Sequence, residues 1–168
     1  AYGNVTIGNG CVFVGTNNES PRDPKKKGDR GVVLCLDEKT GELKWQLVIP
    51  KLGAGKVSDW EYIGVCSSPA IDGDKVYVVT NRCEVVCLDI HGLTNGNDGP
   101  YKQEAEYIKP KGMQDPLDEK LDADILWIYD MRDELGVFPH NVTSSSALIV
   151  GDRIYVATSN GVDWSHTN

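Results

Sequence analysis

The chain has 168 residues, 40% hydrophobic and 25% charged, with a mean hydropathy of −0.34. That is a globular profile with enough chain for a sizeable core, and no apolar run approaches the ~20 residues that span a bilayer. A net charge of −8 and a pI near 4.8 repel phosphate backbones, which argues against nucleic acid as a partner.

The N-terminus, Ala1 to Asn4, has neither a basic nor an apolar leader region, so it does not read as a signal peptide. A hairpin pattern follows and recurs twice. Val5-Thr6-Ile7 and Cys11-Val12-Phe13-Val14 form the first copy, Ala70-Ile71-Asp72 and Lys75-Val76-Tyr77-Val78 the second. Leu148-Ile149-Val150 and Arg153-Ile154-Tyr155-Val156 form the third. Ile7, Ile71 and Ile149 are spaced by 64 and 78 residues, and Val12, Val76 and Ile154 repeat both spacings. Each copy places β-formers around an Asn-Gly or Gly-Asp tip, where a tight turn needs positive φ. Serines stand before the later two hairpins, at Ser67-Ser68 and Ser144-Ser145-Ser146.

A second pattern follows the first two hairpins. Gly31 to Asp37 and Cys83 to Asp89 are β-type runs that end on a turn-forming Asp. A Trp-bearing strand comes next, around Trp45 and then around Trp127. The reading is therefore all-β, with ten short strands in units of four, four and two. Only Met131 to Leu135 suggests a helical turn. We expect a first unit over about 1–50 and a second over about 65–130 with an insertion at 93–123. A third unit is expected to start near 142 and run to 168.

Five cysteines form no Cys-x-x-Cys pair and read as buried hydrophobes rather than a disulfide framework. Lys25-Lys26-Lys27 reads as a solvated loop tip, and the acids at Asp115, Asp118, Glu119, Asp122 and Asp124 as a solvated acidic loop.

The run Cys35-Leu36-Asp37-Glu38-Lys39-Thr40-Gly41-Glu42-Leu43-Lys44-Trp45 resembles the tryptophan-docking motif of pyrroloquinoline-quinone (PQQ) repeat β-propellers. That motif has the form Ala-x-Asp-x-x-Thr-Gly-x-x-x-Trp; Cys35 takes the Ala position, and Asp37, Thr40, Gly41 and Trp45 all fit. Asp37 and Thr40 suit a turn closed by side-chain-to-backbone hydrogen bonds, and Gly41 suits its positive-φ position. Trp45 would then lie flat between neighbouring blades with its N–H bonded. The second copy departs from the motif after Asp89, where His91-Gly92 leads into the insertion. The segments from Gly136 to Asn141 and from Thr158 to Trp164 are also similar to PQQ-binding-like propeller proteins. The resemblance implies a partial β-propeller of four-stranded antiparallel blades, about two and a half of them. It implies a bacterial, periplasmic or otherwise extracytoplasmic protein. It also implies that a protein partner, or the remaining blades of the same propeller, covers the open sheets. We expect the intact protein to be longer, or other chains to supply those blades.

The repeat is shared by quinoprotein alcohol dehydrogenases and by non-catalytic scaffold propellers, so candidate chemistry is sought in the loops. Asn95-Gly96-Asn97-Asp98-Gly99-Pro100 offers oxygens for calcium, with Asn95, Asn97, Asp98 and Glu106 as candidate ligands. Pro100 sits where a calcium loop of the EF-hand kind wants Gly, and a plain Asn/Gly turn is the alternative. His140 precedes a blade hairpin, where propeller loops meet ligands, and is a candidate base; Asn141 beside it is a candidate cofactor contact. Asp163 is a second candidate base, Trp164 a surface on which PQQ would stack, and His166 a third cofactor candidate. Structural roles compete with each of these. A dehydrogenase of this kind is also expected to carry a vicinal cysteine pair, which the sequence lacks. A binding or scaffold propeller is the preferred reading, and a PQQ- and calcium-dependent dehydrogenase segment the alternative.

Overall fold

A computed structural model describes residues 3–53 and 59–158. The first sheet contains β1 (Thr6–Gly8), β2 (Cys11–Asn17), β3 (Gly31–Asp37) and β4 (Leu43–Ile49), paired antiparallel in chain order. The second contains β5 (Ala70–Asp72), β6 (Lys75–Val79), β7 (Glu84–Asp89) and β8 (Ile125–Asp130), again in chain order. A last hairpin pairs β9 (Leu148–Val150) with β10 (Arg153–Tyr155). The fold is all-β, built from four-stranded antiparallel sheets of the kind that make propeller blades. Helix is confined to short turns, α1 (Glu104–Tyr107) and α2 (Met131–Leu135) among them.

Local chemistry explains the hairpins. Asn9 and Gly10 both have positive φ, 53° and 72°, the backbone that a two-residue hairpin turn requires. α2 sits where the sequence suggested a helical turn. Asp130 caps it by accepting hydrogen bonds from the Arg132 and Asp133 backbone, and Gly136 closes it at φ 64°.

Strand alternation sorts the side chains onto two faces. Cys11, Phe13, Val33, Cys35, Trp45, Leu47 and Ile49 of the first sheet share one core with Val76, Val78, Val86, Leu88 and Ile125 of the second. Val32, Leu34 and Val48 gather on the opposite face of the first sheet.

The repeat spacings reappear as contacts between units. The Asn4 backbone donates to Ser68 Oγ at 2.9 Å, 64 residues on, and the Ser68 backbone donates to Ser146 Oγ at 2.9 Å, 78 residues on. One hydrogen bond is thus made at the same place in successive units. The two full sheets also share an irregularity. Cys35 pairs with Trp45 and Cys87 with Trp127, and in each sheet the register slips at the next residue.

Candidate functional site: the inter-sheet dock and its acidic rim

The turn from β3 to β4 is closed by the side chains expected of it. Asp37 Oδ1 accepts the backbone N–H groups of Lys39 at 3.0 Å and Thr40 at 2.9 Å. Thr40 Oγ1 accepts the Glu42 N–H at 3.2 Å, and Gly41 has φ 72°. The two backbone bonds hold the Asp37 carboxyl below its ordinary range. This turn sets the start of β4 and so delivers Trp45 to the second sheet.

Trp45 is 1% exposed, and its indole N–H donates to the Ile90 carbonyl at 2.8 Å. Phe13 lies 5.8 Å away, ring centre to ring centre. Gly92 makes room for the indole on the other sheet: a Cβ there would lie 2.8 Å from Trp45 Cδ1. At ~25 cal/mol per Å² and ~200 Å² for an indole, this burial contributes about 5 kcal/mol as an upper value.

The insertion after Asp89 is a strap rather than a free loop. It leaves β7 through a 3-10 turn at Gly92–Asn95, passes through α1 and returns to β8. Near its end, the backbone of Gln46 in β4 donates to the Leu121 carbonyl at 2.8 Å and accepts from the Ala123 N–H at 2.9 Å. The strap therefore covers the edge strand of the first sheet, where unpaired backbone groups would otherwise face solvent.

Two expectations from the sequence are corrected here. Lys26 is not at a solvated tip: it is fully buried, and its ammonium donates to both carboxylate oxygens of Asp122. The acidic run is likewise not all solvated. Asp115, Asp122 and Asp124 are buried, and Asp115 accepts from the Arg30 guanidinium. Burial holds the Asp122 carboxyl above its ordinary range, with Lys26 pulling the other way. The partners are 96 and 85 residues apart in the chain, so no local pattern announces them.

The candidate calcium loop is partly occupied by its own neighbours. Asn97 accepts from Lys102 Nζ at 2.7 Å through its side-chain oxygen, and its amide donates to Glu104 Oε2 at 2.9 Å. Glu106 is exposed and paired with Lys109 at 2.7 Å. The Asn95 amide donates to Asp98 Oδ2 at 3.1 Å. Asp98 meets two acids that the loop pattern does not contain. Asp89, Asp98 and Asp124 each place a carboxylate oxygen within 4.8 Å of the others. His140 and Asn141 are exposed in the connection to β9, with Asn141 at φ 66°. Asp163, Trp164 and His166 lie outside the described residues.

A quinone with several carboxylates needs cationic partners. The buried cations among the described residues, Lys26 and Arg30, are already committed to Asp122 and Asp115. All five thiols are free and buried. Burial pushes the Cys87 thiol up to about 11 and raises Cys35 further, with Cys11 adding to the effect there.

Comparison with known families decides what the repeat is. The family described as outer membrane protein assembly factor BamB, a PQQ-type repeat, matches residues 3–163. The chain belongs to this PQQ-repeat family. No curated protein matches it. Within the PQQ-repeat chain, the match covers both four-stranded sheets and the last hairpin. No described helix is long and apolar enough to cross a membrane.

Proposed function

We propose that this PQQ-repeat chain is a non-catalytic scaffold segment of a larger extracytoplasmic β-propeller, with Asp37 to Trp45 acting as a tryptophan-docking motif between blades. One observation carries the reading: apolar side chains are left incompletely covered at both ends of the stack. On the first sheet, the partly exposed Val14 and Leu36 face an open cleft of about 360 Å³, in which Val32 and Leu34 are already buried and Thr16, Asn17, Glu19 and Arg22 are polar lining. At the other end, Leu148, Val150 and Tyr155 of the last hairpin are half or more exposed. Trp127 is only half-buried, whereas Trp45 is covered by the neighbouring sheet. A further blade on either side would cover Val14 and Leu36, or Trp127 and the last hairpin, as the second sheet covers Trp45.

In this reading, blade 1 spans about 1–50, blade 2 about 65–130 with the strap at 93–123, and blade 3 begins near 142. Loops around the ring form the surface offered to a protein partner, as the family's description as an assembly factor suggests. The competing reading is a PQQ-dependent dehydrogenase, with Asp163 or His140 as base and Asn141, Trp164 and His166 around the quinone. Titration of the full-length protein with PQQ in the presence of calcium separates the two. No binding at micromolar concentration is expected. Absorbance of a stoichiometrically bound quinone would overturn the scaffold reading.

A further inference from the structure

Among the described residues, five of the seven buried carboxylates are paired with a cation. Asp23 and Asp122 share Lys26, Asp59 has Lys51, Asp115 has Arg30, and Glu84 has Arg82 and Arg132. Asp124 and Glu104 are different: both are buried, and neither has an ion pair among the described residues. Asp124 Oδ2 accepts the Asp98 backbone N–H at 2.9 Å, but Asp124 Oδ1 has no hydrogen-bond partner. Glu104 Oε1 is equally unpartnered. Instead of cations, Asp124 faces the carboxylates of Asp89 and Asp98, all three within 4.8 Å. Burial raises the Asp124 carboxyl above its ordinary range, and Glu104, Asp89 and Asp98 add to it, with the Asp98 N–H opposing. Such a group is stable only if a proton or a cation compensates it.

We propose that Asp89, Asp98 and Asp124 form a calcium site that fastens the strap to the second sheet. The donors are all hard oxygens, which select calcium or magnesium over softer metals. They come from the end of β7, the irregular backbone after the 3-10 turn and the residue before β8, at no regular spacing. That irregular set suits the adaptable coordination of calcium better than the strict octahedron of magnesium. Asp98 is exposed, so water has access to complete the shell. Asp89 and Asp124 are already held together, because the Asp89 N–H donates to the Asp124 carbonyl at 3.0 Å. Asp98 is the ligand supplied by the strap: binding ties the strap's first turn to the two strand ends it connects. The site needs no quinone and stands apart from the scaffold reading.

Isothermal titration of calcium into chelator-treated full-length protein, with thermal unfolding alongside, tests the site. Calcium is expected to bind one-to-one at or below ~1 mM, the weak end for calcium modules, and to raise the unfolding temperature. Asp98→Asn, a change at an exposed position, should weaken binding at least about tenfold by removing one ligand charge. Asp124→Asn should do the same if it folds. Glu106→Gln removes an exposed acid of the same strap and should leave binding unchanged. No binding up to ~10 mM, wild-type binding in Asp98→Asn, loss of binding in Glu106→Gln, or an equal response to magnesium would each overturn the proposal.

Discussion

The Trp45 indole N–H and the Ile90 carbonyl, 45 residues apart, meet at 2.8 Å across the two sheets. This bond and the burial around it make the first sheet part of the second sheet's core. Trp45→Ala should cost about 3–5 kcal/mol, as large-to-small core changes do. Trp45→Phe keeps most of the packing and isolates the loss of the hydrogen bond, about 1 kcal/mol plus the unpaired carbonyl. Urea unfolding followed by circular dichroism gives both values. Equal costs for the two variants would show that the ring's bulk contributes little.

Gly92 faces the same indole, with φ 62°, and a Cβ at this position would come within 2.8 Å of Trp45 Cδ1. Gly92→Ala should therefore destabilise by about 2 kcal/mol or more, through strain and overpacking together. Gly41→Ala is the comparison, since Gly41 has φ 72° but open space around it. Its cost should be the smaller, strain alone. Part of the Gly92→Ala penalty should vanish in a Trp45→Leu background, and that coupling is measured by a double-mutant cycle.

Lys26 and Asp122 form a buried pair whose value lies in being complete. Lys26→Met leaves the Asp122 carboxylate uncompensated and should cost about 3–5 kcal/mol. The double variant Lys26→Met with Asp122→Leu should recover part of that loss, because Asp23 is then the one carboxylate of the cluster left buried without its cation. Denaturant midpoints of the three proteins check this. Additive costs in the double variant would contradict it.

The thiols offer a chemical test of burial. With Cys87 at about 11 and Cys35 higher still, the thiolate fraction at neutral pH is very small in the folded chain. A thiol-specific chromogenic reagent should label the native protein slowly and all five cysteines quickly after denaturation. Fast native labelling of Cys87 would show that β7 opens readily to solvent.

Asp37 sets an acid limit on the dock. Its folded carboxyl lies below the ordinary value of 3.8, held by the Thr40 and Lys39 N–H groups. A depressed folded value means stability that is present above 3.8 and lost as pH falls through the folded value. The gap in unfolding free energy between wild type and Asp37→Asn should therefore be constant near neutral pH. It should narrow below about pH 4, because a protonated Asp37 resembles Asn in charge. Urea titrations at a series of pH values read it directly.

Much of this architecture was written locally. The spacings of 64 and 78 residues are the very separations at which Asn4 meets Ser68 and Ser68 meets Ser146. The Asp37 turn, the strand order and Trp45 at the interface also follow from short-range rules, since turn chemistry and period-two alternation act over a few residues. What tertiary structure alone decided is where the charges go. Lys26 and Asp115 read as solvated because the partners that hold them in the interior, Asp122 and Arg30, lie far along the chain. Asp89, Asp98 and Asp124 are scattered over 36 residues and become neighbours only when the strap returns to β8. A buried charge is set by what lies across space, and a sequence records only what lies along the chain.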